Sequence, residues 1–163
     1  MDYKIVGQTV PVVEVTLNSG ESMYTQSGGM AYQTEGIKMN TNARGGIMKS
    51  IGRVFAGESM FMANYTAEKD GATVAFASTV PGSIVPFDLS KYSGGLTFQK
   101  GSFLCAQSNV ETSVTFTKRF SAGLFGGEGL FLTRLVGPGK VILQSQNFGE
   151  FAGRILNLMP KSK

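Results

Sequence analysis

The sequence predicts an all-β fold: a duplicated antiparallel β-sandwich with a short inserted helix and a C-terminal helix. Short runs of β-branched and aromatic residues recur along its 163 residues, each bounded by Gly, Asn or Ser. That spacing belongs to sandwiches and barrels. Glycine is abundant at 22 residues, charged residues are few at 16%, and the 42% of hydrophobic residues are spread through the chain. This is a turn-rich globular composition, not a disordered one. The third observation is internal likeness. Phe125 to Ser145 reads as a glycine turn, a strand, a tight Gly-Pro-Gly turn and a second strand, and Phe55 to Ser78 is a diluted copy of it.

The first clear element is Val10 to Leu17, whose β-branched content makes a strand; Pro11 places it at an edge or a strand start. Asn18 to Glu21 turns into a second strand, Ser22 to Thr25. Gly28 and Gly29 permit a turn before a short strand at Met30 to Tyr32, and Glu35-Gly36 turns into Ile37 to Asn40. Gly45 to Phe55 breaks the pattern. Ile47, Ile51, Val54 and Phe55 fall at helical spacing, with Lys49 and Arg53 four apart on another face. A short amphipathic helix over the sandwich is expected there, with a membrane-surface or partner-docking helix as its functional alternative.

Strands follow at Ser59 to Tyr65 and Thr73 to Ala77, joined by the Glu68 to Gly71 turn. Pro81 to Leu89 is extended between prolines. Further strands are expected at Leu96 to Gln99, Lys100 to Ala106 and Thr112 to Thr117, the last half-buried because Val114 and Phe116 alternate with polar residues. At the end, Phe148, Phe151, Ile155, Leu158 and Met159 are spaced for one helical face, with Asn147 as cap and Pro160 as stop.

One domain, 1–163, is expected, with repeat units at about 10–89 and 96–146 and the C-terminal helix at about 147–159. Ser22 aligns with Ser102 at an offset of 80, and Gly57-Glu58 with Gly127-Glu128 at an offset of 70. The second unit is shorter by about the length of the inserted helix, which it lacks.

Composition excludes much chemistry. The chain has no His, which removes the usual general base, the commonest metal ligand, the Ser-His-Asp triad and cupin-type metal sites. Cys105 is the single cysteine, set in an apolar strand-like run, and reads as a small core residue. No apolar run is long enough for a transmembrane helix. The first residues lack the basic-then-apolar order of a secretory signal, so a cytoplasmic location is the expectation. The net charge of +4 is mild and demands no acidic partner.

Several motifs together carry a family resemblance: Ala43 to Gly46, Gly57 to Ser59, Pro81 to Leu89, Gly123 to Gly129 and Gly137 to Ser145. Over Val10 to Leu158 the chain resembles the altered inheritance of mitochondria protein 24 family. The resemblance implies a fold like that of the tryptophan RNA-binding attenuator protein, a duplicated antiparallel sandwich of the double-stranded β-helix type. It implies no catalytic residue and no cofactor. Family members tend to carry the Leu-Phe-Gly-Gly-Glu-Gly motif twice, and here it occurs once, so the chain looks like a shortened member. Any strand edge left open by the shortening must be covered or paired with another subunit.

The Gly126-Gly127-Glu128 turn invites a phosphate-loop reading, but the glycines lead into a strand and no Lys follows closely. The simpler reading is backbone freedom at Gly126, Gly127 and Gly129, with Glu128 pairing locally. Glu58 and Glu128 are a conceivable carboxylate pair, although equivalent turns of a duplication more often lie apart. Basic candidates for nucleic acid are Arg44, Lys49, Arg53, Lys118, Arg119 and Arg134, yet Trp is absent and no aromatic-rich basic stripe accompanies them. The methionines read as core filler, and as a contact surface wherever several prove exposed.

The sequence therefore points to a non-enzymatic oligomeric scaffold or interaction protein. A homo-oligomer is expected, with a protein or membrane-surface partner and no cofactor, metal or small-molecule substrate. The alternative is an RNA-binding module by analogy of fold. The candidate interaction residues are Ile47, Lys49, Ile51 and Arg53 on the inserted helix, and Gly126, Gly127 and Glu128 in the turn.

Overall fold

A computed structural model describes residues 1–26, 28–41, 62–116, 131–146 and 148–159. The strands are β1 (Asp2–Val6), β2 (Val12–Leu17), β3 (Ser22–Gln26), β4 (Met30–Gln33), β5 (Ile37–Asn40), β6 (Met62–Ala67) and β7 (Ala72–Ala77). They continue as β8 (Ile84–Asp88), β9 (Leu96–Gln99), β10 (Phe103–Gln107), β11 (Glu111–Phe116), β12 (Phe131–Val136) and β13 (Lys140–Gln144). Short 3-10 turns cover Leu89–Lys91 and Lys100–Ser102, and one described α-helix, α1, spans Phe148–Leu158. The all-β expectation holds.

All pairings are antiparallel. The strands make a four-stranded sheet, β1-β2-β7-β4, a six-stranded sheet, β5-β6-β3-β10-β13-β8, and a three-stranded sheet, β11-β12-β9. The sandwich has three layers, because the six-stranded sheet carries a core on each face. Met23 and Ile142 pack with Val13, Val15, Leu17 and Phe76 of the four-stranded sheet. Their neighbours Tyr24, Val141 and Leu143 pack with Phe98 and Leu135 of the three-stranded sheet. This explains two sequence patterns. Val12–Leu17 alternates, as a strand with one buried face should, whereas Phe103–Gln107 and Lys140–Gln144 carry unbroken buried runs. Each fully buried side chain such as Phe76 or Leu17 contributes about 1.5–3 kcal/mol.

The register of β10 against β13 shifts between Phe103 and Cys105. A bulge here lets the consecutive residues Leu104 and Cys105 both enter the first core. At the centre of the sheet β3 pairs with β10, and Thr25 lies opposite Cys105. The strands that follow the two Gly-Glu sequence motifs, β6 and β12, lie in different sheets.

Gly137-Pro138-Gly139 is a corner between sheets, since β12 and β13 do not pair. Space dictates its glycines. A Cβ at Gly137 would stand 2.6 Å from the Leu89 Cβ, and one at Gly139, where φ is +142°, would stand 2.7 Å from Val110 Cγ2. The Asn109 amide donates to the Pro138 carbonyl at 2.8 Å and holds the corner.

Two details differ from the sequence reading: the strand expected from Lys100 starts at Phe103, after a 3-10 turn, and an additional strand precedes the first one expected. β1 was not expected; it forms because Asp2–Val6 finds Val12–Thr16 as a partner. Pro11 stands at the start of β2, which is flanked on both sides and is not an edge. Pro86 does lie on an edge strand, β8, where its missing N–H costs no ladder bond on the open side. The expected helix at 45–55 falls outside the described residues.

Candidate interaction surface

Every interaction residue expected from the sequence (Ile47, Lys49, Ile51, Arg53, Gly126, Gly127 and Glu128) lies outside the described residues, as do Glu58, Arg44, Lys118 and Arg119. The surface described below is built from other residues.

The outer face of the four-stranded sheet carries a row that crosses all its strands. Lys4 is opposite Glu14, Glu14 opposite Ala75, and Ala75 opposite Tyr32. Lys4 Nζ lies 2.7 Å from Glu14 Oε2. The Tyr32 hydroxyl donates to Glu14 Oε1. Tyr32 belongs to β4 and Glu14 to β2, so the phenol reaches across β7, and the methyl of Ala75 leaves it room. Ala75 is thereby fully covered on what is otherwise a solvent face. The Lys4 ammonium, then the Tyr32 hydroxyl, hold the Glu14 carboxyl below its ordinary value. The same hydrogen bond raises Tyr32.

Tyr3 and Ile5 point to the opposite side of β1, in line with Val15 and Val13. Those partners are fully buried, yet Tyr3 and Ile5 remain exposed. Among the described residues β1 is an edge, exposed at every position. The Lys140 ammonium stands 5.3 Å from the centre of the Tyr3 ring, a cation–π contact at an exposed site.

The second apolar feature is α1. Leu156 is 66% and Leu158 86% exposed, beside exposed Ile155 and Met159. The helix expected from the sequence is present, and its C-terminal end stands in solvent among the described residues. Of the methionines, Met23 and Met62 are core residues and Met30 packs partly against the core, while Met39 and Met159 are exposed.

A buried polar knot lies elsewhere. Gln144 Oε1 accepts from the Thr79 N–H at 3.0 Å and the Ser78 hydroxyl at 3.2 Å, and its Nε2 donates to the Gly101 carbonyl at 3.0 Å. The Ser78 hydroxyl has one proton, shared between Gln144 Oε1 and the nearer Val80 carbonyl at 2.8 Å. This knot has its partners within the protein and clamps the 78–82 loop to β13. Cys105 is fully buried, and burial pushes its thiol well above the usual range, away from the reactive thiolate. Among the described residues no three His, Cys, Asp or Glu side chains gather as metal ligands, and no helix is long and apolar enough to cross a membrane.

Sequence reasoning missed Tyr3, Ile5, Tyr32 and Leu156. The alternation of Asp2-Tyr3-Lys4-Ile5 was the available signal for the first two. Nothing in the sequence pairs Tyr32 with Glu14.

The fold and surface define a layered antiparallel β protein that presents an open strand and an apolar helix. Over residues 3–157 the chain matches the family described as mitochondrial biogenesis AIM24, and it belongs to that family. It is 33% identical over 143 residues to the uncharacterised protein M6_Spy0233 of Streptococcus pyogenes serotype M6, a match covering 83% of this chain and 56% of that one. The crystal structure of protein SPYM3_0169 from Streptococcus pyogenes is similar at a TM-score of 0.62 and 29% identity, over 88% of this chain and 64% of that one. The chain thus spans little more than half the length of the curated relative it matches.

Proposed function

We propose that this protein is a non-enzymatic, self-associating scaffold that acts by contact with other macromolecules. The observation that carries the reading is the apolar C-terminal end of α1, where Ile155, Leu156 and Leu158, and Met159 just after the helix, are all exposed. Contiguous exposed apolar surface marks an interaction site rather than an ordinary solvent face. The absence of His from the sequence supports the non-enzymatic part of the reading. In this reading the scaffold works at a membrane surface. Arg154 lies on α1, and Lys161 and Lys163 follow it in the sequence, a basic-apolar combination suited to anionic lipid.

The test is the solution mass by light scattering coupled to gel filtration, over a range of protein and salt concentrations. A stable oligomer is expected, with its association weakened but not abolished at high salt. A monomer at every concentration overturns the scaffold reading.

A further inference from the structure

We propose that two copies of this chain associate through β1, strand against strand, so that two four-stranded sheets become one continuous sheet across a twofold axis at Tyr3. The inference rests on the self-associating reading above and names its interface.

β1 is a five-residue strand, Asp2-Tyr3-Lys4-Ile5-Val6, with no proline and no register shift against β2. Among the described residues its other edge is open. An open, partly apolar edge is a template for another strand. The sequence of the strand then selects the partner and the register. When identical strands pair antiparallel about a twofold axis normal to the sheet, directly opposite residues project to the same face. Outer-face residues must therefore meet outer-face residues.

The outer face of β1 carries Asp2 and Lys4, opposite Thr16 and Glu14 of β2. Centring the axis on Lys4 would place two ammonium groups directly opposite, which is unfavourable. Centring it on Tyr3 places Asp2 of each copy opposite Lys4 of the other, giving two symmetric opposite-charge pairs on the outer face. On the inner face the two Tyr3 rings then meet, while Ile5 comes opposite Met1 of the other copy, which lies just before β1, packs against its own core and has its ammonium 3.1 Å from Glu21 Oε1. Tyr3 and Ile5 are the exposed apolar residues of a side whose β2 counterparts, Val15 and Val13, are buried. The pairing thus covers Tyr3, an apolar position that the protein's own layers leave open. Asp2-Tyr3-Lys4 is self-complementary, and that points to a second copy rather than to an unrelated strand.

The experiment compares the full chain, carrying any tag at its C-terminus, with variants in analytical ultracentrifugation. Asp2→Lys should raise the dimer dissociation constant about tenfold, because two attractive pairs become repulsive. The triple variant Asp2→Lys, Lys4→Glu, Glu14→Lys reverses every charge in the row and should recover the original association. Cross-linking fixes the register. Tyr3→Cys should give a disulfide-linked dimer under mild oxidation, since opposed Cα atoms in an antiparallel pair lie about 4.5–5.5 Å apart. Ile5→Cys should not, because the two copies of position 5 would be about 13 Å apart along the strands. Association that persists unchanged in Asp2→Lys, with no linkage through Tyr3→Cys, overturns this interface and leaves the self-associating reading standing. A parent chain that is monomeric throughout overturns both.

Discussion

Thr25 and Cys105, 80 residues apart, face each other at the centre of the six-stranded sheet. The Thr25 hydroxyl donates to the carbonyl of Leu104 at 2.6 Å, and both side chains are buried. The bond crosses at the β10 bulge, where a regular ladder partner is displaced. Thr25→Val keeps the shape and removes the donor, so we expect a loss of about 1–2 kcal/mol. In urea unfolding this appears as a lower midpoint at unchanged slope. Gly29 packs against the same hydroxyl: a Cβ there would stand 2.3 Å from Thr25 Oγ1. Gly29→Ala should cost about 1–3 kcal/mol by overpacking. The cost should shrink in a Thr25→Ala background, where the clashing atom is gone. Additive losses in the double variant would show that the two positions do not share this contact.

Cys105 provides an independent reading of that centre. Its thiol is enclosed and its deprotonation disfavoured by burial. We expect no reaction with a thiol reagent in the folded protein at neutral pH and full reaction in denaturant. Under native conditions the labelling rate should track the opening equilibrium. Rapid labelling of the folded chain would contradict the burial of this strand.

The Lys4–Glu14–Tyr32 row should leave its mark on pH dependence. Glu14 is held below its ordinary value of 4.5, first by Lys4 and then by Tyr32. Its contribution to stability is therefore present above the unfolded value and is lost as pH falls through the folded one. Tyr32 is raised, so its contribution is present below its ordinary value of 10.0 and is lost as pH rises through the folded one. Glu14→Gln removes the acceptor charge that causes both effects. Melting temperatures measured from acid to alkaline pH should flatten at both ends in this variant. An unchanged profile would show that the row does not form in solution.

Gln144, itself buried, ties Ser78, Thr79 and Gly101 together. Gln144→Leu strands at least the Thr79 N–H and the Gly101 carbonyl, and we expect a loss of about 2–3 kcal/mol. For a chain of this size that lowers the melting temperature by several degrees, at about 2–4 °C per kcal/mol. Ser78→Ala should cost less, because Gln144 Oε1 keeps its bonds to Thr79.

How much of this was legible follows from range. Val12–Leu17, Ser22–Gln26 and Ala72–Ala77 announce themselves through β-branched residues between turns, which is local information. β1 does so only weakly: Asp2-Tyr3-Lys4-Ile5 alternates, but a five-residue strand with two charges needs β2 as its partner. Phe131 to Gln144 reads as two strands joined by a tight turn, yet the strands belong to different sheets. At the corner between them Gly137 fits against Leu89 and Gly139 against Val110, contacts between segments distant in sequence. The surface was still less legible. Tyr32 and Glu14 meet across an intervening strand because Ala75 is small, and three separate segments must be in register before that pairing exists. The seven interaction residues chosen from local pattern all lie outside the described residues. The features found here arise from pairing edges and layer coverage, which local pattern does not encode.

The apolar end of α1 separates surface from core most directly. Leu156 and Leu158 are exposed, so replacing both with Asp removes apolar surface from water contact without opening a cavity. We expect unfolding stability to stay within about 0.5 kcal/mol per site. Binding to anionic phospholipid vesicles, measured by co-sedimentation, should fall sharply, because the lost apolar area and the added negative charge both oppose it. Dimerisation through β1 should be unaffected, since Tyr3 and α1 are separate features. A large fall in stability would mean that this helix face is packed in solution and is not a contact surface. Unchanged stability with unchanged vesicle binding would remove α1 from the membrane-surface reading while leaving the strand-mediated assembly intact.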